Sequence, residues 1–539
     1  MLNRKYGVVY TPVALADFVA DLLYRYTDVV DHPVILDPAS GECSLLLAAK
    51  KRFGENAVCF GIDIDAEAVK NTKAIFSIIH NDAIAPVNVK RKAADYWIAK
   101  LPPINAIIAN PPWSTEKIYN RETLIQSGFT LINGQYDSYV LFIELAYNIL
   151  SPGGTMAFII PDSLFDAQNE NLRRFLCANT TICVIARLGE KIFDEVNRAA
   201  TVIVCKKCDP EAETSTLCFR LTTDMRRSFL LNQGKLIDYF EGSAHTVFQA
   251  RFLANDACNF DVDTYSEEES LLQKITSTGK SLSQKFTFGR GVEISKAGKI
   301  VYCPFCKCAQ GYKKTHLQAG SKTCTVCGAT ITVTSETTES VIKQAQEEGT
   351  VGIYVGENVH RYSLTRENYI LPGINGIDYK EPTLYHSPKL LIRKTGLGIY
   401  CALDYSNSYT TQTVYILKYK NQAENIPLEY YLAIINSRVI YYYYLKVYGE
   451  NEWKSHPYLT KQIVFSLPVH PYTGDQADNE IVRIATSLMR EYDRTKDLEL
   501  EELIMEKYGL TEEERKMIAA EMNRLPNLSA VTDMKMEAN

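Results

Sequence analysis

The 539-residue chain has no apolar run of about 18 residues and no charged-then-apolar leader, so neither a membrane-spanning helix nor an export signal is expected. The expectation is a cytoplasmic protein with no membrane partner. Both common phosphate-cradling signatures, GxxxxGK(S/T) and GxGxxG, are missing, which excludes the ordinary P-loop and dinucleotide-binding readings. There is no internal repeat. A surplus of positive charge is also absent: the formal net charge is −6, the wrong sign for a nucleic-acid binder taken whole. That charge is local, however. Residues 476–539 carry 15 Asp/Glu against 9 Lys/Arg, which accounts for all of it. Residues 281–330 hold 8 Lys/Arg and one Glu, a basic patch in an otherwise neutral body.

What is present is an ordinary globular composition, 46% hydrophobic and 23% charged, in a chain long enough for two or three domains. Fourteen cysteines fit a reducing compartment if some bind metal and the rest are buried thiols. From "PVILDPASGECSLLLAAKKRFG" to "AATVIVCKK", continuous apolar strands alternate with helical segments, the pattern of a parallel α/β sheet. It runs to about residue 210, where "DPEAETST" reads as a linker. The expected organisation is a Rossmann-like domain over 1–210 and an α+β region over 211–475 with a cysteine ribbon near 300–330. An acidic helical segment follows over 476–539.

In an open parallel sheet, ligands sit beyond the carboxyl ends of the strands. There the sequence places "DPASGE" (37–42), "GIDID" (61–65) and "NDA" (81–83). Gly41 allows close backbone approach, and Asp63, 22 residues later, stands where an acidic residue binds ribose hydroxyls. A ribose binder without a phosphate cradle points to a nucleoside, with S-adenosylmethionine (AdoMet) the foremost candidate.

The order "YTP" (10–12), "DPASGE", "GIDID", "NDA" and "NPPW" (110–113) resembles the gamma-type DNA amino-methyltransferases of restriction–modification systems. "GENVHRY" (356–362), "SPKLLIRKTG" (387–396), "YYLAIINSRVIYYYY" (430–444) and "LEELIMEKYGLTEEE" (500–514) resemble the target-recognition half of that family. The resemblance implies that Tyr10, Thr11, Pro12, Asp37, Ala39, Ser40, Gly41, Asp63, Ile64, Asp82, Ala83 and Asn110 surround AdoMet. Two positions depart from the family pattern. Cys43 stands where a second glycine is usual, and Asn105 where an aspartate is usual.

An exocyclic base amine is a poor nucleophile because its lone pair is delocalised into the ring. Two acceptors aimed at its N–H bonds favour a tetrahedral nitrogen, and the Asn110 side-chain carbonyl with the Pro111 backbone carbonyl can supply them, Pro111 and Pro112 fixing the direction. The target lies inside a duplex, so it must be flipped out and stacked, Trp113 offering one face. The resemblance adds a second aromatic wall from the loop "LGEKIFDEVNRAATVIV", for which Phe193 is the candidate, and it favours adenine N6 over cytosine N4.

Cys303-x2-Cys306 and Cys324-x2-Cys327, with 17 residues between the pairs, have the spacing of a closed structural zinc site. The expected function is site-specific adenine-N6 methylation of double-stranded DNA by a monomer, alone or beside a separate restriction endonuclease or defence subunit. A cytosine-N4 or RNA amino-methyltransferase and a non-catalytic DNA-binding subunit are the alternatives. A fused nuclease is not expected, because the motifs begin within ten residues of Met1.

Overall fold

The computed structural model describes residues 11–536 apart from 73, 87–90, 114–118, 133–136, 193–197, 233, 296, 366–367, 422–424, 450–457, 527 and 530. The expected site residues Tyr10 and Phe193 lie outside the described residues. The chain divides into two compact units: Met1–Glu267 with Lys446–Ser455, and Glu268–Leu445 with His456–Asn539. Among the described residues no helix is long and apolar enough to cross a membrane.

Among the described residues the first unit has nine strands: β1 (Val34–Asp37), β2 (Val58–Asp63), β3 (Ser77–His80), β4 (Ile104–Ala109), β5 (Leu150–Pro161), β6 (Thr181–Gly189), β7 (Ala200–Lys206), β8 (Ser215–Arg220) and β9 (His245–Phe248). Their order in the sheet is β3-β2-β1-β4-β5-β7-β6-β8-β9. Strands β1 to β5 pair in parallel, and β7 is antiparallel to both of its neighbours. Both faces are apolar, as a doubly covered sheet requires. Ile35, Ala106, Ile108, Ala157 and Ile159 pack on one side with α1 (Val13–Tyr26) and α2 (Ser44–Phe53). Leu36, Ile107, Met156 and Phe158 pack on the other with α3 (Ala93–Lys100), α4 (Tyr139–Ile149) and α5 (Glu170–Asn179).

The strand order reverses between β1 and β4, the switch point that opens a crevice at the carboxyl ends. The sheet does not stop near residue 210. The polar run 209–216 leads from β7 into the first two residues of β8, and β8 pairs in parallel with β6, Leu217 opposite Val184. A polar stretch this short reads alike as a linker or as a loop between strands, and ladder pairing makes it the loop.

The two departures from the family pattern have local explanations. Cys43 caps α2 with a left-handed φ of 64°, the conformation for which glycine is the natural residue. Its side chain is buried with Leu45 and Ile35. Asn105 accepts a hydrogen bond from the Val34 amide at 2.9 Å, fixing the start of β1 against β4. An amide oxygen performs that task as a carboxylate would.

In the second unit, Phe286–Arg290, Val414–Tyr419, Lys389–Arg393 and Cys401–Asp404 form an antiparallel sheet. Helices Gln476–Arg490 and Arg494–Lys507 belong to this unit rather than to a separate segment. A buried ion network joins them to it. Asp497 accepts from both Nη atoms of Arg361 at 2.9 Å and from Arg438 Nη2 at 2.9 Å, and Glu501 accepts from Arg438 Nη1 at 3.3 Å. Arg361 and Arg438, from two of the stretches expected to form the recognition half, are therefore buried and structural.

Candidate active site

The acidic turns end three adjacent strands, so the sheet brings them together. Asp37 closes β1, Asp63 closes β2, and Asn81 and Asp82 follow β3. With Asn110 at the end of β4, they line one pocket of about 510 Å³. Thr11, Ala39, Ser40, Gly41, Ile64, Ala83 and Pro112 line it too, whereas Pro12, Pro111 and Trp113 do not. The residue of questionable fit, Cys43, is not part of the lining either.

The turns are held by their own backbone. Asp63 Oδ2 accepts from the Gly41 amide at 2.7 Å and Oδ1 from the Asp65 amide at 2.8 Å. One carboxylate thus ties the first turn to the second. Gly41 has φ of +47°, and a Cβ there would meet nothing within 4 Å, so conformation rather than space calls for glycine. Asp82 Oδ1 accepts from Ile84 and Ala85 amides, and both its oxygens accept from the Tyr119 hydroxyl, at 2.9 and 2.8 Å.

Burial acts on two of these acids. Asp37 is 1% exposed, and burial pushes its carboxyl up to about 8. The Ala39 N–H opposes that rise and the Asp63 charge adds to it. Burial raises Asp63 as well, against the amides of Asp65 and Gly41. The pocket therefore has a carboxyl that a positively charged ligand would help to ionise.

The Asn-Pro-Pro-Trp segment is braced at nearly every residue. Asn110 Nδ2 donates to Thr11 Oγ1 at 3.0 Å, so the amino-terminal motif orients the asparagine amide. The Ser138 hydroxyl donates to the Pro112 carbonyl, and Arg198 Nη1 to the Trp113 carbonyl at 2.6 Å. Arg198 also lies 3.5 Å from Asp137, whose other partners include Ser163. The Trp113 ring is not presented at the strand tip. It is 6% exposed, packs in the core with Ile159, Leu188 and Ile192, and donates from Nε1 to the Ile159 carbonyl at 3.3 Å. The Arg198 guanidinium stands 5.8 Å from its ring centre.

Sequence reasoning missed Tyr119, Ser138 and Arg198. Tyr119 and Ser138 stand in no motif, and Arg198 lies in the loop quoted for Phe193 with nothing to mark it; each meets the site only through tertiary contact. The asparagine in "VNRAATVIV" and its neighbours gave no sign that Arg198 reaches back 85 residues.

In the second unit the ligand atoms of Cys303, Cys306, Cys324 and Cys327 all lie within 4.8 Å of one another. Cys303 Sγ is 3.6 Å from Cys327 Sγ, and Cys306 Sγ is 3.7 Å from Cys324 Sγ. Gln310 Nε2 donates to Cys324 Sγ at 2.8 Å, and its Oε1 accepts from the Thr325 amide at 3.2 Å. Cys308 stands outside the group.

Residues 2–251 match the N-6 DNA methylase family, and residues 351–469 match the TaqI-like C-terminal specificity domain. The chain carries an N-6 DNA methylase domain followed by a TaqI-like specificity domain. The methylase domain is similar to the Type II methyltransferase M.BanIII of Aneurinibacillus aneurinilyticus, 28% identical over 214 residues, 35% of this chain and 37% of that protein. It is also similar to the Type II methyltransferase M.AccI of Acinetobacter calcoaceticus, 23% identical over 215 residues, 38% of this chain and 37% of that protein. The matches thus span little more than a third of those two relatives. Methylase and specificity domains together share the fold of a nuclease-deletion mutant of the Type ISP restriction-modification enzyme LlaGI, with a TM-score of 0.53 at 13% identity over 91% of this chain and 55% of that one. The order of the two domains is the order that the motifs implied.

Proposed function

We propose that the chain transfers a methyl group from AdoMet to the N6 amine of an adenine flipped out of duplex DNA, at a defined sequence. The observation that carries this is the placement of Asn110 in the same pocket as the three acidic turns, within an N-6 DNA methylase domain. The pocket suits AdoMet: its volume is that of a small-molecule site, Asp63 lines it and would accept from ribose hydroxyls, and the buried Asp37 suits a cationic ligand. Bound AdoMet supplies an activated methyl group on a sulfonium.

The chain's own residues position and polarise the amine. The Asn110 side-chain carbonyl, oriented through the Nδ2 bond to Thr11, and the Pro111 carbonyl would accept the two N–H bonds. These preorganised dipoles stabilise charge developing on nitrogen, with no general base required. Ser138 and Arg198 hold the next two carbonyls of the segment, so the acceptor geometry is set before substrate arrives. Trp113, being buried, would serve as the wall behind the acceptors, with Phe193 the proposed opposite face.

The four cysteines we assign to a structural zinc ion. Zn–S bonds of about 2.3 Å place tetrahedral sulfurs about 3.8 Å apart, close to the two separations above. We further propose that the chain acts in the cytoplasm as the modification partner of a restriction endonuclease of the same specificity.

The test is nucleoside mass spectrometry of DNA incubated with the purified chain and isotopically labelled AdoMet. Labelled N6-methyladenine is expected. Labelled N4-methylcytosine would move the reading to cytosine, label in RNA alone would move the substrate, and no label with AdoMet bound would favour a non-catalytic subunit.

A further inference from the structure

The cysteine segment has a feature the transfer reaction does not use. Residues 294–335 contain six lysines and no acidic residue, in a protein whose net charge is −6. The strands Lys299–Tyr302, Ala309–Gly311, Ser321–Thr323 and Thr330–Thr332 carry two copies of one turn. In the first, the Cys303 amide donates to the Cys308 carbonyl and the Lys307 amide to the Cys303 carbonyl, both at 3.0 Å. In the second, the Cys324 amide donates to the Ala329 carbonyl at 2.8 Å and the Gly328 amide to the Cys324 carbonyl at 3.1 Å. Each turn needs a left-handed residue after its second cysteine. Gly328 supplies it at φ 75°, but the first turn uses Lys307 at φ 56°. A side chain in that conformation costs roughly 1 kcal/mol or more, so the first turn retains a cation where glycine would be conformationally cheaper.

The turn tips are apolar and exposed in matching positions: Phe305 is 74% exposed and Val326 is 64% exposed. Lys299, Lys307, Lys313 and Lys314 are exposed as well. The core beneath them is a small cluster of Val301, Cys303, Cys324, Ile331 and Val333, two of whose five members are proposed metal ligands. Such a core is too small to fold the segment without the metal.

We infer that this metal-held ribbon is a DNA-contacting element, its lysines meeting backbone phosphates and its exposed Phe305 tip meeting the sugar or groove edge. The inference rests on the DNA-methyltransferase reading for its partner. An excess of positive charge, six lysines against the Glu336 and Glu339 that follow, Glu339 on the neighbouring strand, is the footprint of phosphate binding, and it explains how a chain of net negative charge can grip DNA. The contact carries affinity rather than sequence, since phosphates are the same at every site.

The experiment compares the full wild-type chain, the double variant Lys313→Ala/Lys314→Ala, Phe305→Ser and Cys324→Ser. Metal content is read by plasma mass spectrometry, AdoMet binding by calorimetry, and binding to a labelled duplex by anisotropy between about 50 and 200 mM salt. One zinc per chain is expected in all but Cys324→Ser, with AdoMet binding unchanged throughout. The lysine variant should bind DNA more weakly, its log–log salt slope reduced by roughly one for each phosphate no longer neutralised. Phe305→Ser should weaken binding without changing that slope. Wild-type affinity and slope in both the lysine and phenylalanine variants would overturn the inference while leaving the methyltransferase reading intact. A wild-type chain that binds no duplex at any salt would instead strike at that reading. Preference for RNA over DNA would overturn the choice of partner, and a zinc-free wild type would remove the metal.

Discussion

Replacing Asp497 with alanine should destabilise the second unit by an amount the buried network makes calculable. The carboxylate is the common partner of two buried guanidiniums, with Arg361 bonding both oxygens and Arg438 one, and the Tyr492 hydroxyl adds a further bond at 3.1 Å. The side chains of Arg361, Asp497 and Arg438 are 4%, 1% and 0% exposed. Removing the anion leaves two buried cations with Glu501 as the remaining carboxylate beside Arg438, and breaking a buried pair in this way costs about 3–5 kcal/mol. At roughly 2–4 °C per kcal/mol for a unit of this size, the corresponding Tm falls by about 10 °C. The same network sets a pH dependence. Burial raises the Asp497 carboxyl, but Arg361 and Arg438 outweigh it and hold the group at about 2 instead of 3.8. A lowered carboxyl stabilises above its unfolded value, so stability is complete above about pH 4 and is lost as pH falls from about 4 to 2. The loss is about 2 kcal/mol by linkage. Calorimetric unfolding of wild type and variant, with AdoMet present to mark the methylase transition, gives both quantities. A variant that unfolds within about 2 °C of wild type would refute the assignment of the network as a structural tie.

Asn110→Ala should lower the rate of methyl transfer on the order of a hundredfold or more with AdoMet binding preserved, and Thr11→Val should lower kcat more than it raises KM, because Thr11 acts by orienting Asn110. Steady-state kinetics with calorimetric cofactor binding decides both; a few-fold change for Asn110→Ala would sink the mechanism. Asp63→Ala should weaken AdoMet binding more than it lowers kcat, because it removes both the proposed ribose acceptor and the tie to Gly41. Unchanged affinity would leave Asp63 as a turn-former only. AdoMet affinity should rise as pH increases from 6 and level off near 8, because a cation binds the ionised form of Asp37, which in the free protein carries its proton up to about 8. Calorimetry in buffers of different ionisation enthalpy should then show proton release near pH 7, and its absence would remove Asp37 from the cofactor's surroundings.

Much of this protein is legible in local chemistry. Asp37-Pro38 and Pro111-Pro112 remove ladder donors and end their strands, and the apolar runs before Asp63 and Asp82 stop at polar residues, so residue order alone places the acidic turns and Asn110 at strand ends. Parallel strands share a direction, which puts those ends on one edge. The paired CxxC spacing is equally local, because two short turns carry all four thiols. The sequence by itself thus determined the parallel half of the sheet, the edge on which the candidate site lies and the cysteine cluster. What it left undetermined depends on partners distant in the chain. The run 209–216 looks like a linker until β8 finds β6, and Trp113 looks like an exposed platform until Ile159, 46 residues on, accepts its N–H. Tyr119 meets Asp82 across 37 residues, and Arg361 meets Asp497 across 136. Whether such a side chain faces a ligand or a buried counter-charge is settled by which groups the fold brings within about 3 Å of it, and no periodicity in the chain encodes that.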